Sequence, residues 1–126
     1  MEKTRIMIVE DESKLIMLME EVLSDVGYYI CKSVTSGEEA IKSVEQEKPD
    51  IILMDIDLNG KMDGIEAARE IRSRFSIPII FLTGHKDKET KERAKFVEPS
   101  GYFIKPVEFE DLKLKIDNIL LSIKKR

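Results

Sequence analysis

Four apolar runs in this chain of 126 residues each end in a side chain able to do chemistry. Ile6-Met-Ile-Val runs into Glu10 and Asp11, Ile51-Ile-Leu-Met into Asp55, Ile79-Ile-Phe-Leu into Thr83, and Tyr102-Phe-Ile into Lys105. Polar residues at the exit of one strand are ordinary, since Asp and Thr cap helices and start turns. Acid, acid, hydroxyl and amine at four successive exits are not accounted for in that way. If the runs are parallel neighbours, all these groups lie on the carboxyl edge of one sheet, where open α/β sheets bind ligands.

Electrostatics narrows what such an edge holds. Two carboxylates about 5 Å apart repel by roughly 3 kcal/mol at an effective dielectric of about 20. Three or four acids gather here, and Lys105 supplies a single positive charge. A hard divalent cation with few protein ligands and several waters fits this shortage, so the expected ion is Mg²⁺, with Mn²⁺ as a substitute. A carboxylate flanked by a cation, a lysine and a small hydroxyl suits a phosphoryl group, and the carboxylate can itself be the nucleophile.

The elements that must position these residues can be traced along the chain. The periodicity predicts strands at Thr4–Val9, Tyr28–Val34, Ile51–Met54, Pro78–Leu82 and Tyr102–Ile104. Between them lie amphipathic helices. Leu15, Met19, Val22, Leu23 and Val26 share one face of the first, which Gly27 ends, and Met17 faces outward. Ser36-Gly-Glu-Glu39 has capping-box spacing and opens the second helix, which Pro49 stops. The third runs from about Asp63 to Phe75. The fourth, Asp87–Val97, has only Ala94, Phe96 and Val97 to bury. The last starts near Glu108 and places Phe109, Leu112, Ile116, Ile119, Leu120 and Ile123 on one side. Five βα units with uniformly apolar strands predict a single α/β domain with a parallel sheet covered on both faces.

Composition agrees. The chain is 42% hydrophobic and 37% charged, which excludes a disordered polypeptide, and its one cysteine, Cys31, excludes an intrachain disulfide or a multi-cysteine metal centre. No signal-peptide pattern or bilayer-length apolar run is present, so the expected location is cytoplasmic, without membrane insertion. The net charge of −4 conceals 7 basic against 15 acidic residues in positions 1–63 and 14 against 10 in positions 64–126. The basic residues of the second half alternate with acids, as in Lys86-Asp87-Lys88-Glu89, so no direct nucleic-acid contact is expected.

Ile6-Met-Ile-Val-Glu-Asp-Glu12, Ile51-Ile-Leu-Met-Asp55, Phe81-Leu-Thr83-Gly84 and Gly101-Tyr-Phe-Ile-Lys-Pro106 together resemble the response-regulator receiver domain of two-component systems. The resemblance spans about residues 4–123. It implies a flavodoxin-like, doubly wound (βα)5 sheet of strand order 2-1-3-4-5. Five βα units use the length of 126 residues, so one domain over 1–126 with no output domain is expected. The resemblance makes Asp55 the phosphoacceptor, charged from a phosphohistidine on a sensor histidine kinase or histidine phosphotransfer protein. By the same resemblance Asp11 is a direct Mg²⁺ ligand, Glu10 acts through water, and Asp57 contributes its backbone carbonyl. Lys105 would pair with a phosphoryl oxygen, Thr83 would swing its hydroxyl to the acyl phosphate, and Tyr102 would turn inward behind it. Lys105-Pro106 falls where the family has a cis peptide. The expected activity is confined to the domain's own phosphorylation and dephosphorylation, and is passed to a protein target by a monomer or a weak, phosphorylation-dependent dimer. The helix 4–strand 5–helix 5 face is the expected signalling surface, because helix 4 has so little to bury.

The loop after Asp55 departs from the family's commonest form, being one residue longer and lacking its proline. That departure admits another pattern. Asp55-x-Asp57-x-Asn59-Gly60-x5-Glu66 satisfies the calcium loop of an EF-hand, although Pro49 and an apolar stretch stand where its entry helix belongs. Asp55-Ile-Asp57 also resembles the nucleophile and acid pair of aspartate-based phosphohydrolases, whose substrate-binding caps do not fit in this length. Val107 replaces the Phe common after Lys-Pro, and Gly84 should leave the site open to a partner's histidine. His85, the only histidine, is either a solvated loop residue or a modulator of dephosphorylation.

Overall fold

A computed structural model describes residues 3–124; positions 1, 2, 125 and 126 of the expected domain lie outside the described residues. Strands and helices alternate throughout: β1 (Arg5–Val9), α1 (Ser13–Asp25), β2 (Tyr29–Val34), α2 (Gly37–Glu47), β3 (Ile51–Asp55), α3 (Gly64–Arg72), β4 (Ile79–Thr83), α4 (Lys88–Lys95), β5 (Gly101–Ile104) and α5 (Phe109–Lys124). The five strands form one parallel sheet in the order β2-β1-β3-β4-β5. This is the expected doubly wound α/β arrangement, with β3 at the centre.

Alternation along the strands divides the interior in two. Met7, Val9, Ile52, Met54 and Phe81 face one side and pack with α2, α3 and α4 through Ala40, Val44, Ile65, Ala68, Ile71 and Ala94. Ile6, Ile8, Leu53, Ile80 and Leu82 face the other and meet Met19 and Leu23 of α1 and Leu112 and Ile116 of α5. Both faces are covered, which is why the strands read as unbroken apolar runs.

Element ends differ from the periodic pattern where the chain leaves the core. Val26 lies beyond the last turn of α1 as its C-cap and is exposed. Tyr28 is buried just before β2, and its hydroxyl bonds to Asp117 of α5. Ile123, one turn past the buried part of α5, is also exposed. The clearest correction is Phe96. Ala94 and Val97 turn inward, and Phe96, two residues from Ala94 and so on the opposite side of the helix, is 84% exposed. α4 therefore contributes even less apolar surface than its sequence suggested.

Ser36 caps α2 by accepting from Glu39 N at 3.1 Å, but the Glu39 carboxylate takes the Ser36 and Thr35 hydroxyls instead of completing the box. The complete capping box belongs to α3. Asp63 accepts from Glu66 N at 2.9 Å, and Glu66 accepts from Asp63 N at 3.0 Å. The last acid of the calcium-loop pattern is thereby engaged in starting a helix. Its first acid, Asp55, ends a strand where an EF-hand needs a helix.

Gly64 lets α3 start directly under the site. Its N–H reaches Ile56 O at 2.9 Å, and a Cβ there would fall 2.1 Å from Asp55 O. A Cβ on Gly84 would meet nothing within 4 Å. Gly64→Ala should therefore lower stability by roughly 1–3 kcal/mol in urea unfolding, through forced backbone displacement. Gly84→Ala should stay within about 0.5 kcal/mol of the parent protein. Equal effects in the two variants would contradict the close approach.

Candidate functional site

The parallel register brings the strand exits together. Val9 pairs with Met54, Asp55 with Leu82, and Thr83 with Ile104, so the residues that follow converge on one edge. Glu10, Asp55 and Thr83 are the only buried polar or charged residues among the described ones, and all three belong to this edge. Burial elsewhere is apolar. The fold thus places its wholly buried polar residues where the sequence concentrated its reactive groups.

Lys105 sits among the acids. Its Nζ lies 3.0 Å from Glu10 Oε1 and 3.4 Å from Asp55 Oδ2. Asp55 Oδ1 accepts from Asp57 N at 3.1 Å, Glu10 Oε2 from Glu12 N at 3.0 Å, and Asp11 Oδ2 from Asn59 N at 3.1 Å. Carboxylate oxygens of Glu10, Asp11 and Asp55 lie within 4.8 Å of one another, the one such cluster of potential metal ligands among the described residues. Three carboxylate donors, of which Asp11 is only partly buried, fit a hard cation that keeps part of its water. Lys105-Pro106 is a cis peptide.

Charge crowding shows in the acid–base behaviour. Burial, and next the Glu10 carboxylate, push Asp55 up to about 7, against the opposing pull of Lys105 and of the Asp57 N–H. Lys105 is held above its ordinary value: burial opposes its charge, but its hydrogen bond to Glu10 and the charge of Asp55 outweigh that. One ammonium leaves Asp55 short of compensation.

The remaining site residues form a second group. Thr83 Oγ1 donates to Asp57 Oδ2 at 3.5 Å and accepts from His85 N at 3.0 Å. His85 lies between two acids, with Nε2 2.7 Å from Asp57 Oδ1 and Nδ1 3.5 Å from Asp87 Oδ1. Asp87 caps α4 through Thr90 N and Oγ1, and these bonds hold its carboxyl below the ordinary range. Tyr102 is half-buried, its hydroxyl enclosed without a hydrogen-bond partner. Burial first, then Asp87 and Asp57, push that hydroxyl's pKa up.

The expected site residues are therefore found at this edge, in two neighbouring groups joined by Asp57, except Tyr102, which lies within β5 in register with Phe81. The Thr83 hydroxyl is turned to Asp57 and not to Asp55. Two participants escaped the sequence. Asn59 contributes only its N–H, for which no side-chain signal exists. Asp63, besides capping α3, pairs through Oδ2 with Arg93 of α4 at 2.9 Å; its Asp-x-x-Glu spacing was the available clue to the cap, but nothing local announced the ion pair.

The family described as the response regulator receiver domain matches residues 6–117. The transcriptional regulatory protein PdtaR of Mycobacterium tuberculosis is 37% identical over 108 residues, covering 86% of this chain and 52% of that protein. The alkaline phosphatase synthesis transcriptional regulatory protein PhoP of Bacillus subtilis is 32% identical over 117 residues, covering 92% and 48%. The chain spans about half the length of these curated relatives. Among solved structures, the signal receiver domain of a modulated diguanylate cyclase from Desulfovibrio desulfuricans G20 superposes with a TM-score of 0.91 at 36% identity, covering 98% of both chains. A CheY-like receiver domain from Methanospirillum hungatei JF-1 gives 0.89 at 26% identity, again covering 98% of both. No described helix is long and apolar enough to cross a membrane. With a matching family, relatives and topology, the chain belongs to the response regulator receiver domains of two-component systems.

Proposed function

We propose that Asp55 accepts a phosphoryl group from a phosphohistidine of a sensor histidine kinase or histidine phosphotransfer protein, with Mg²⁺ as cofactor. The observation that carries this reading is the convergence of a buried nucleophilic carboxylate, an ammonium 3.4 Å away, and two further acids able to share a cation with it. An Asp55 oxygen forms the new O–P bond as the P–N bond of the donor breaks, and the imidazole leaves with the bond's electrons. Asp11, Asp55 and the Asp57 carbonyl, with Glu10 acting through water, would hold Mg²⁺, which would supply charge neutralisation for the acids and for the phosphoryl oxygens. Lys105 offers its Nζ to one of those oxygens. Beside Lys105, Leu15, Leu18, Val107 and Phe109 line an apolar groove of about 410 Å³ on which the donor protein can rest. The chain catalyses only its own modification and turns over no separate substrate.

The signal leaves through α4, β5 and α5. Phosphorylation adds charge and acceptor oxygens beside Thr83. Thr83 exchanges its long bond to Asp57 for the acyl phosphate, and Tyr102, whose hydroxyl has no partner to lose, moves into the vacated space. α4 buries only Ala94 from within its helical span, so it shifts at small cost. A protein target, or a second copy in a weak dimer, reads the change.

Incubation with acetyl phosphate and Mg²⁺ should add one phosphoryl group, absent from Asp55→Asn and from a sample treated with EDTA, as read by intact mass. Beryllofluoride should alter hydrogen exchange across residues 84–106. Modification surviving in Asp55→Asn would defeat the assignment of the acceptor, and unchanged exchange would defeat that of the face.

The raised Asp55 pKa has a thermodynamic consequence without Mg²⁺. Between the ordinary carboxylate value and about 7 the folded state holds a proton that the unfolded chain has lost, so stability falls as pH rises through this window. Asp55→Asn removes the penalty. It should be more stable than the parent at pH 8 by roughly 2–4 kcal/mol, equal or nearly so at pH 4, and flatter between. Parallel stability–pH curves for the two proteins would refute the strain.

His85 shields the site by bridging Asp57 and Asp87. His85→Ala should open a path for water and speed loss of the aspartyl phosphate by about twofold to tenfold, at most roughly 1.4 kcal/mol on the barrier. An unchanged decay rate would remove His85 from this role.

A further inference from the structure

The lengthened loop between Asp55 and Gly64 is fastened at points the family resemblance does not account for. Asn59 N donates to Asp11 Oδ2 at 3.1 Å, which fixes the carboxylate of an expected cation ligand. Two residues on, Lys61 N donates to Glu38 Oε2 at 3.3 Å, so the loop is also tied to the first turn of α2. Gly60 passes flat against the same carboxylate with φ +109°, where a Cβ would lie 3.4 Å from both Glu38 oxygens. Next along, Met62 packs so closely on α2 that a Cβ on Gly37 would come within 2.8 Å of its Cγ.

Glu38 is unusual for a helix-surface glutamate. Its Oε1 is buried without a hydrogen-bond partner, an unfavourable state that rotation into solvent would relieve. The side chain is held there by the Lys61 N–H, in the first turn of α2. Glu39, its neighbour, spends its carboxylate on the Ser36 and Thr35 hydroxyls and does not touch the loop.

We propose that Glu38 is a positioning residue for the cation site: it straps the 57–62 loop to α2, so that the Asn59 N–H holds Asp11 and the Asp57 carbonyl stays in place for Mg²⁺. The inference rests on the acid cluster being the Mg²⁺ site. Glu38 itself contacts neither cation nor acceptor. Its loss frees the loop, so the ligands must be ordered as the ion binds, and affinity falls while the chemistry at saturating Mg²⁺ is unchanged.

Calorimetric titration of the parent protein, Glu38→Ala, Glu38→Gln and Glu39→Ala with MgCl₂ tests this, with exchange of the Lys61 amide as an independent readout. Glu38→Ala should bind Mg²⁺ about threefold to tenfold more weakly, at or below the range for groups bonded directly to metal ligands. Its Lys61 amide should exchange faster. Acetyl phosphate should modify it more slowly at limiting Mg²⁺ but at the parent rate at saturation. Glu38→Gln keeps an acceptor oxygen and should restore affinity and protection. Glu39→Ala removes the same charge and should bind as the parent does. Parent-like affinity in Glu38→Ala would overturn the strap, as would equal losses in Glu38→Gln or Glu39→Ala, which would assign the effect to charge. A parent protein that takes up no Mg²⁺ would instead bring down the cation site and, with it, the inference.

Discussion

Three carboxylates gather at the carboxyl edge of the sheet around one ammonium that reaches only two of them, and much of the architecture answers to that imbalance. Glu10 and Asp55 are buried beside each other, so their repulsion is not relieved by water, and Lys105 offsets only part of it. Like charges stay in register only on a support that cannot relax. β1, β3 and β4 provide it, since all but the first residue of β1 are buried and every residue of β3 and β4 is. The apolar core and the polar edge are therefore two parts of one arrangement. The core supplies the rigidity that keeps the edge electrostatically unsatisfied, and an edge in that state could hold a metal ion.

Much of this was legible in the sequence because it depends on short-range patterns. Uniform apolar runs such as Ile51–Met54 specify strands buried on both faces, and a polar residue directly after each run must emerge at the same edge once the strands are parallel. Asp55, Thr83 and Lys105 followed from that alone. The order β2-β1-β3-β4-β5 did not. It came from the family resemblance, because periodicity carries no information about which strands are neighbours. Phe96 shows a different limit: at a helix end, one residue decides whether a side chain turns to the sheet or to water. The ties made by Asn59 N and Lys61 N left no trace either, since a backbone N–H is the same in every residue but proline.

The calcium-loop pattern over Asp55–Glu66 is instructive for the same reason. Each of its residues is needed, but for other purposes: Asp55 closes a strand, Gly60 adopts a positive φ, and Asp63 with Glu66 starts α3. Acids and glycine at these spacings serve a tight loop leading into a helix whether or not the loop surrounds an ion. Only the element preceding the loop separates the two cases, and here it is extended.

Asp63 divides its carboxylate between two helices, one oxygen holding the start of α3 and the other holding Arg93 of α4. The first bond is local and insensitive to ionic strength. The second joins two half-exposed charges and weakens as counterions accumulate, over a screening length of about 10 Å in 0.1 M salt. The tether on α4 thus has a stiffness set by the surrounding electrolyte, while the helix start beside it does not, and how firmly α4 is held to α3 is in part a property of the solution.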